Sequence, residues 1–292
     1  MTLPHHGRYL YSPIIDRPDF SWPDGTRLAV YLGMNLECFA FGEGLGAELS
    51  YGGPQPDILN YAWRDYGNRV GVWRMIELFD RLGLPCTALV NSEMYEVAPE
   101  VVAGFRARGD EIAGHGRTNA EMQGVLPETE EARLIAEATK IVARREGKAP
   151  KGWLGPWISQ SRLTPDLLQE AGYEYLLDWC HDDQPVWMET RNGRILSVPY
   201  PQELNDIPQI VGRKHEGAEF ADMIIDAFEV MLAESVRRPL VMGIALHAYL
   251  MGQPHRFRHL ERALGYIRDK GGEQVWWTTA GAINDHYRAL GL

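Results

Sequence analysis

The sequence predicts a single α/β barrel with parallel strands, and three observations carry that reading. Short β-like apolar runs alternate with amphipathic helical runs, the order that builds a parallel sheet with helices packed on it. The length, 292 residues, is one that α/β barrels routinely use as one domain. The most polar short motifs fall where β-like runs end, which is where such folds keep their functional residues.

Taken in order, residues 1–25 form an N-terminal arm. Its first residues, Met1 to Arg8, lack the basic-then-apolar pattern of a signal peptide. The first strand is expected over Leu28–Met34, closing on Asn35-Leu36-Glu37. Segment 38–68 is rich in Gly, Pro and Tyr with little periodicity, and reads as a long loop over one barrel mouth. A helix over 70–82 follows from Val72, Met75, Ile76 and Phe79 at i, i+3, i+4 and i+7, with Gly83 placed for a left-handed C-terminus. Then come strand Cys86–Val90, helix 97–108 ending at Gly109, strand Glu111–Ala113 and a long helix over 128–146. Thr164-Pro165 starts a further helix with a hydroxyl cap and proline in the first turn. Strands are expected at 175–177, 195–199, 240–246 and 275–277, and helices at 217–235, 256–269 and 280–289. With no internal repeat or low-complexity tract, residues 1–292 read as one domain.

Composition bounds the function. A chain with 45% hydrophobic and 24% charged residues, nine Trp and thirteen Tyr, has ample material for a large core. No apolar run approaches the roughly 18 residues that would suggest a membrane span. The three cysteines, Cys38, Cys86 and Cys180, are isolated and without CxxC spacing. They point to a reducing compartment, the cytoplasm, and away from a disulfide framework or a thiolate zinc site. A net charge of −11 leaves no basic footprint for nucleic acid. The expected partner is a small-molecule substrate, with neither membrane nor nucleic acid involved.

Three titratable residues stand at strand ends. Glu37 is either a solvated strand-end carboxylate or a general base whose pKa its aromatic surroundings raise. His115 lies between Gly114 and Gly116, which permit close backbone approach, although a histidine at such a place is more often structural. Asn119, four residues on, can share a face with it but is a poor zinc or iron ligand. His247 ends the buried run Leu240–Leu246, where a titratable residue is either catalytic or bonded to a loop carbonyl. The cluster Asp178, Asp182 and Asp183 is either a solvated turn or a source of one carboxylate that orients a histidine. Trp153, Trp157 and Trp187 fit a pocket wall or ordinary core. Phosphate loops, GxSxG elbows and dinucleotide glycine motifs are absent.

The order of these pieces resembles the polysaccharide deacetylase (NodB-homology) superfamily over nearly the whole chain from Trp22 onward. That resemblance implies a distorted (β/α) barrel, hydrolase activity and a setting in carbohydrate metabolism. The superfamily places a base Asp and a metal Asp at the first strand end, a His-x-x-x-His metal pair at the second motif, and a late Leu-His that supplies an acid. Here Asn35 stands for the base, Glu37 for the metal Asp and Asn119 for the second histidine, while the Arg-Pro-Pro motif has become Trp153-Leu154-Gly155-Pro156-Trp157. These departures are similar to the deacetylase-fold allantoinases and bacterial cyclic imidases. Tyr66-Gly67-Asn68-Arg69-Val70-Gly71-Val72-Trp73-Arg74 and Leu246 through Arg256 are the most specific matches, beside Asp178–Pro185 and Pro199-Tyr200 with Asn205-Asp206.

The branch implies hydrolysis of a small cyclic imide or ureide without the family's metal, by a homotetramer. In that scheme Glu37 is the general base on water and His247 the acid for the leaving nitrogen, while His115 and Asn119 orient the carbonyl. Arg69 or Arg117 adds positive charge, Asn205 and Asp206 bind ring N–H or carbonyl groups, and Asn35, Trp157 and Asp183 complete the substrate site. Were a divalent metal such as zinc present, Glu37 and His115 would hold it. Two other readings stay open: a metal-dependent N-deacetylase of an acetylated sugar, and a non-catalytic barrel that binds or scaffolds. Among ring substrates an imide is favoured over a polar ureide, because the loop and Trp157 offer little charge.

Overall fold

The computed structural model describes residues 4–292; the first three residues of the expected N-terminal arm lie outside them. In chain order the elements are β1 (Leu28–Leu36), α1 (Ile58–Tyr66), α2 (Val72–Leu82), β2 (Cys86–Val90), α3 (Met94–Val97), α4 (Pro99–Arg108), β3 (Glu111–Gly114) and α5 (Glu128–Glu146). There follow β4 (Gly152–Trp153), α6 (Thr164–Glu170), β5 (Tyr175–Leu176), β6 (Val186–Thr190), β7 (Gly193–Ser197) and α7 (Gly217–Ser235). The chain finishes with β8 (Leu240–His247), α8 (Ala248–Met251), α9 (Pro254–Gly271), β9 (Val275–Thr278) and α10 (Ala280–Leu290).

All nine strands join one sheet in the order β6-β7-β5-β4-β3-β2-β1-β8, parallel except for the β6–β7 hairpin. Strand β1 is its centre. One edge carries β9 beside Leu28–Tyr31 and β2 beside Leu32–Leu36, and the other carries β8 along Leu28 to Asn35. Among the described residues no ladder closes the sheet between β6 and β8. An isolated parallel bridge, Asn205 with Ala245, lays the segment after β7 against β8. The fold is thus a mixed α/β one, with a parallel sheet and flanking helices, as expected.

Every residue of β1 is buried, as parallel strands covered on both faces must be. Its alternation sorts two cores. Leu28, Val30, Leu32, Met34 and Leu36 pack outward with residues of α2, α4, α7 and α9, each burial contributing roughly 1.5–3 kcal/mol. Ala29 and Tyr31 face inward with Ala113 of β3, and with Val241 and Ala245 of β8. The inward face is where the site forms, because period 2 carries Glu37, His115 and His247 onto it.

The structure corrects several boundaries. Segment 38–68 is not loop throughout: residues 58–66 are α1, whose N-cap Asp57 accepts from the Asn60 amide. A single π turn, Gly67–Gly71, joins α1 to α2 without leaving helical dihedrals. The helix expected over 97–108 breaks at Ala98, where φ is −150° and Pro99 restarts it. Strands β4 and β6 were not anticipated, and α9 is longer at both ends than 256–269.

Candidate active site

Five chain segments leaving the sheet meet at one point. Glu37 follows β1, Asn91 follows β2, His115 follows β3, Leu154 follows β4, and His247 is the last residue of β8. Parallel strands put all of these ends on the same side, so the clustering follows from topology and inward alternation alone.

The Glu37 carboxylate is the hub. Its Oε1 accepts from Asn119 Nδ2 at 2.5 Å and lies 3.4 Å from His115 Nε2 and 3.5 Å from His247 Nε2. Its Oε2 is buried with no protein partner. A buried carboxylate oxygen left open is costly unless water or a ligand meets it.

The two histidines differ in their protons. His115 Nδ1 donates to the Leu154 carbonyl at 2.7 Å, which leaves the Nε2 lone pair turned toward Glu37. His247 Nδ1 pairs with Asp206 Oδ1 at 2.6 Å, and Asp206 Oδ2 accepts from the His247 backbone N–H at 2.8 Å. Burial disfavours the His247 cation, but Asp206 and Glu37 outweigh burial and push its pKa up to about 10. Burial likewise raises Glu37, but the charge of His247 and the hydrogen bond from its Nε2 override it, so the carboxyl sits well below the usual carboxylate range and is not raised as the sequence suggested. At neutral pH the site therefore holds a carboxylate against an imidazolium.

Asn91 fixes the frame. Its Nδ2 donates to the His115 carbonyl and, at 3.0 Å, to Asn119 Oδ1, while its Oδ1 accepts from the Cys38 amide at 2.9 Å. Asn119 is thereby locked with its oxygen toward Asn91 and its N–H group toward Glu37. Asn35 donates to the Tyr200 hydroxyl at 3.0 Å and to the Leu246 carbonyl at 3.3 Å, so the Tyr200 proton is free to point into the pocket.

Above this floor is a cavity of about 250 Å³. Its floor includes Asn35, Glu37, His115, Asn119 and His247, and its walls Phe39, Arg64, Leu154, Trp157, Ile158, Tyr200 and Asn205. Trp157 and the following Ile158 both sit in the left-handed region (φ 65° and 53°), and the Trp157 indole N–H donates to the Asn119 carbonyl at 2.8 Å. Non-glycine residues hold such dihedrals only where surrounding contacts impose them, and functional sites are where they collect.

The structure brings Glu37, His115, His247, Asn35, Asn119, Trp157 and Asn205 together and leaves out four expected members. Arg69 is solvent-exposed and its only acidic neighbour among the described residues is Asp65, at 3.7 Å; the π turn points it away from the cavity. Arg117 is held outside by Glu121 and Glu137. Asp183 lies at the opposite end of β8, where its carbonyl accepts from the Val241 N–H. Asp206 does not line the cavity; it reaches the site through His247, and Asn205 turns its Oδ1 to the Ile207 N–H. Arg64, Tyr200 and Asn91 were missed. Arg64 comes from α1, inside the segment read as loop, so no periodic signal marked it. Its presence also corrects the expectation that this segment brings little charge.

The superfamily implies a divalent metal where the branch implies none, and the donor set does not fit one. Among the described residues no three His, Cys, Asp or Glu side chains are grouped to hold a cation. At the second ligand position the side chain turned toward Glu37 is the Asn119 N–H₂, which cannot donate a lone pair.

Comparison with known proteins gives consistent neighbours. Residues 59–176 match the family model described as Polysaccharide deacetylase. A peptidoglycan deacetylase of Helicobacter pylori is 28% identical over 82% of this chain and 90% of its own length. A crystal structure of a probable polysaccharide deacetylase from Pseudomonas aeruginosa PAO1 superposes with a TM-score of 0.83 at 27% identity, covering 96% of this chain and 98% of that one. The PuuE allantoinase structure superposes with a TM-score of 0.82 at 28% identity over the same shares. Among the described residues no helix is long and apolar enough to cross a membrane.

Proposed function

We propose that the chain is a hydrolase of amide-type C–N bonds whose substrate is a small cyclic imide or ureide, a reading supported by the match of residues 59–176 to the Polysaccharide deacetylase model and by the likeness to polysaccharide deacetylase structures. The observation that carries this reading is the open, buried Oε2 of Glu37. Glu37 lines a cavity of only about 250 Å³ together with His115 and the His247 imidazolium. A ring of six or so heavy atoms fits such a space, and the likeness to PuuE allantoinase supports the ring class.

In the proposed reaction a water donates one hydrogen bond to Glu37 Oε2 and the other to His115 Nε2. Glu37 takes its proton as the oxygen adds to the ring carbonyl. The Tyr200 hydroxyl and the second N–H of Asn119 are the nearest neutral donors for the oxyanion. His247 Nε2 then protonates the departing ring nitrogen as the C–N bond breaks. The carbonyl carbon leaves as a carboxylic acid and the nitrogen as an amide or urea N–H, so one water has been added across one bond. An imide or ureide nitrogen departs more readily than a simple amide nitrogen, which lessens the demand for a Lewis acid.

The test is a turnover screen of succinimide, hydantoin, allantoin, dihydrouracil and N-acetylglucosamine oligomers, with and without a chelator. Opening of at least one ring at a chelator-independent rate is expected. Cleavage confined to acetyl groups, restored by zinc after chelation, would overturn both the substrate class and the metal-free site. We further propose a cytoplasmic homotetramer, supported by the exposed apolar residues Leu10, Tyr11 and Ile15 of the arm and checked by sedimentation.

A further inference from the structure

Arg64 is a charged group in the cavity wall that the proposed chemistry does not use. Its guanidinium carbon lies 3.8 Å from the centre of the Phe39 ring, 5.5 Å from Tyr249 and 5.8 Å from Trp157. Its Nε donates to Asn60 Oδ1 at 3.2 Å, the sole hydrogen bond found for it among the described residues. No carboxylate pairs with it there. The remaining N–H groups form a planar fork, held flat by stacking on Phe39 and partly shielded from water. Such a fork matches a carboxylate in geometry, and its bonds to one strengthen as water is excluded.

The charge balance agrees. Glu37, Asp206 and the His247 imidazolium leave the floor with one net negative charge, which repels an anion near the reacting bond. An anionic substituent is tolerated only toward the wall where Arg64 stands.

We infer that the cavity is built for a ring that carries a carboxylate, gripped by the Arg64 fork, with the scissile C–N bond of the ring turned toward Glu37 and His247; this rests on the ring-hydrolase reading above. Arg64 is then the residue that selects anionic over neutral rings. It takes no part in proton transfer.

The test uses orotate and uracil, a matched anionic and neutral pair whose conjugated rings resist hydrolysis. Binding to the full chain is measured by titration calorimetry for wild type, Arg64→Gln and Arg64→Lys. Orotate should bind about 10- to 100-fold more tightly than uracil, the range one charge-assisted pair supplies. Arg64→Gln should erase that ratio, and Arg64→Lys should restore part of it without the bidentate geometry. Wild-type affinities within threefold of each other, an undiminished ratio in Arg64→Gln, or binding of neither ligand would each overturn the inference. Failure of the hydrolase reading looks different: Arg64-dependent orotate binding would persist while dihydrouracil, dihydroorotate and every other ring stay intact. Turnover of neutral rings without any orotate preference would leave the hydrolase and remove the anion.

Discussion

Replacing Asp206 with Asn should move the acid of this site by a measurable amount. In the native pair His247 Nδ1 and Asp206 Oδ1 are 2.6 Å apart and both side chains are buried. The rise of His247 from 6.5 to about 10 corresponds to something on the order of 5 kcal/mol of preference for the cation. Asp206 is the largest favourable contributor, and Asn removes the charge while its single oxygen keeps only one of the two hydrogen bonds to His247. Loss of one adjacent opposite charge lowers such a pKa by roughly 2 units. The alkaline limb of kcat/KM should then fall from about 10 toward roughly 8, for about a tenfold loss at pH 9 and little change at pH 6. The assay is the pH profile of ring opening, with NMR titration of the His247 ring as a readout independent of turnover. A limb and a titration that both move by less than half a unit would show that Asp206 does not set the charge on His247, and His247 would lose its assignment as acid.

Three further outcomes follow from the same geometry. Glu37→Gln should lower kcat by about 10²- to 10⁴-fold with the circular dichroism spectrum unchanged; retained turnover would remove the base. Gly71→Ala should destabilise by about 1–3 kcal/mol or more, read as a lower urea midpoint, because the new methyl would run into the Ala248 carbonyl oxygen. The charge pair should also shape stability against pH. His247 is raised on folding, so its contribution is complete below about 6.5 and lost as pH climbs through about 10. Glu37 is depressed, so its contribution is present above its unfolded value of about 4.5 and lost as acid is added. Unfolding midpoints should decline across both ranges, and the alkaline decline should be shallower in Asp206→Asn.

Much of this site was legible from sequence because its carriers are strand ends. Glu37, His115 and His247 each terminate an apolar run, and parallel topology gathers such ends without further information. What was illegible came from segments whose pattern does not report burial. Helix α1 exposes Ile58 and Leu59, so its apolar residues do not form an inward stripe and the segment read as loop, taking Arg64 with it. Strand β4 is two residues, too short for any period to show. Asp183 was misplaced because a motif near the sheet says nothing about which end of a strand it meets. Asp206 was found by proximity to a matching stretch, but its partner, His247, lies 41 positions away, and only the fold reveals that pairing.

The glycines of the π turn carry a consequence for how this cavity can change over time. A methyl on Gly67 would press into the Tyr249 backbone nitrogen at 2.7 Å, and one on Gly71 into the Ala248 carbonyl. The rod formed by α1 and α2 therefore rests main chain against main chain on the segment that begins one residue after His247. Contacts of that kind have no side chain to trim or enlarge, so the rod cannot slide without unseating the acid. Descendants of this protein with new tastes in substrate should keep the position of residue 64 and vary other lining side chains instead, such as Leu154, Ile207 and Pro208.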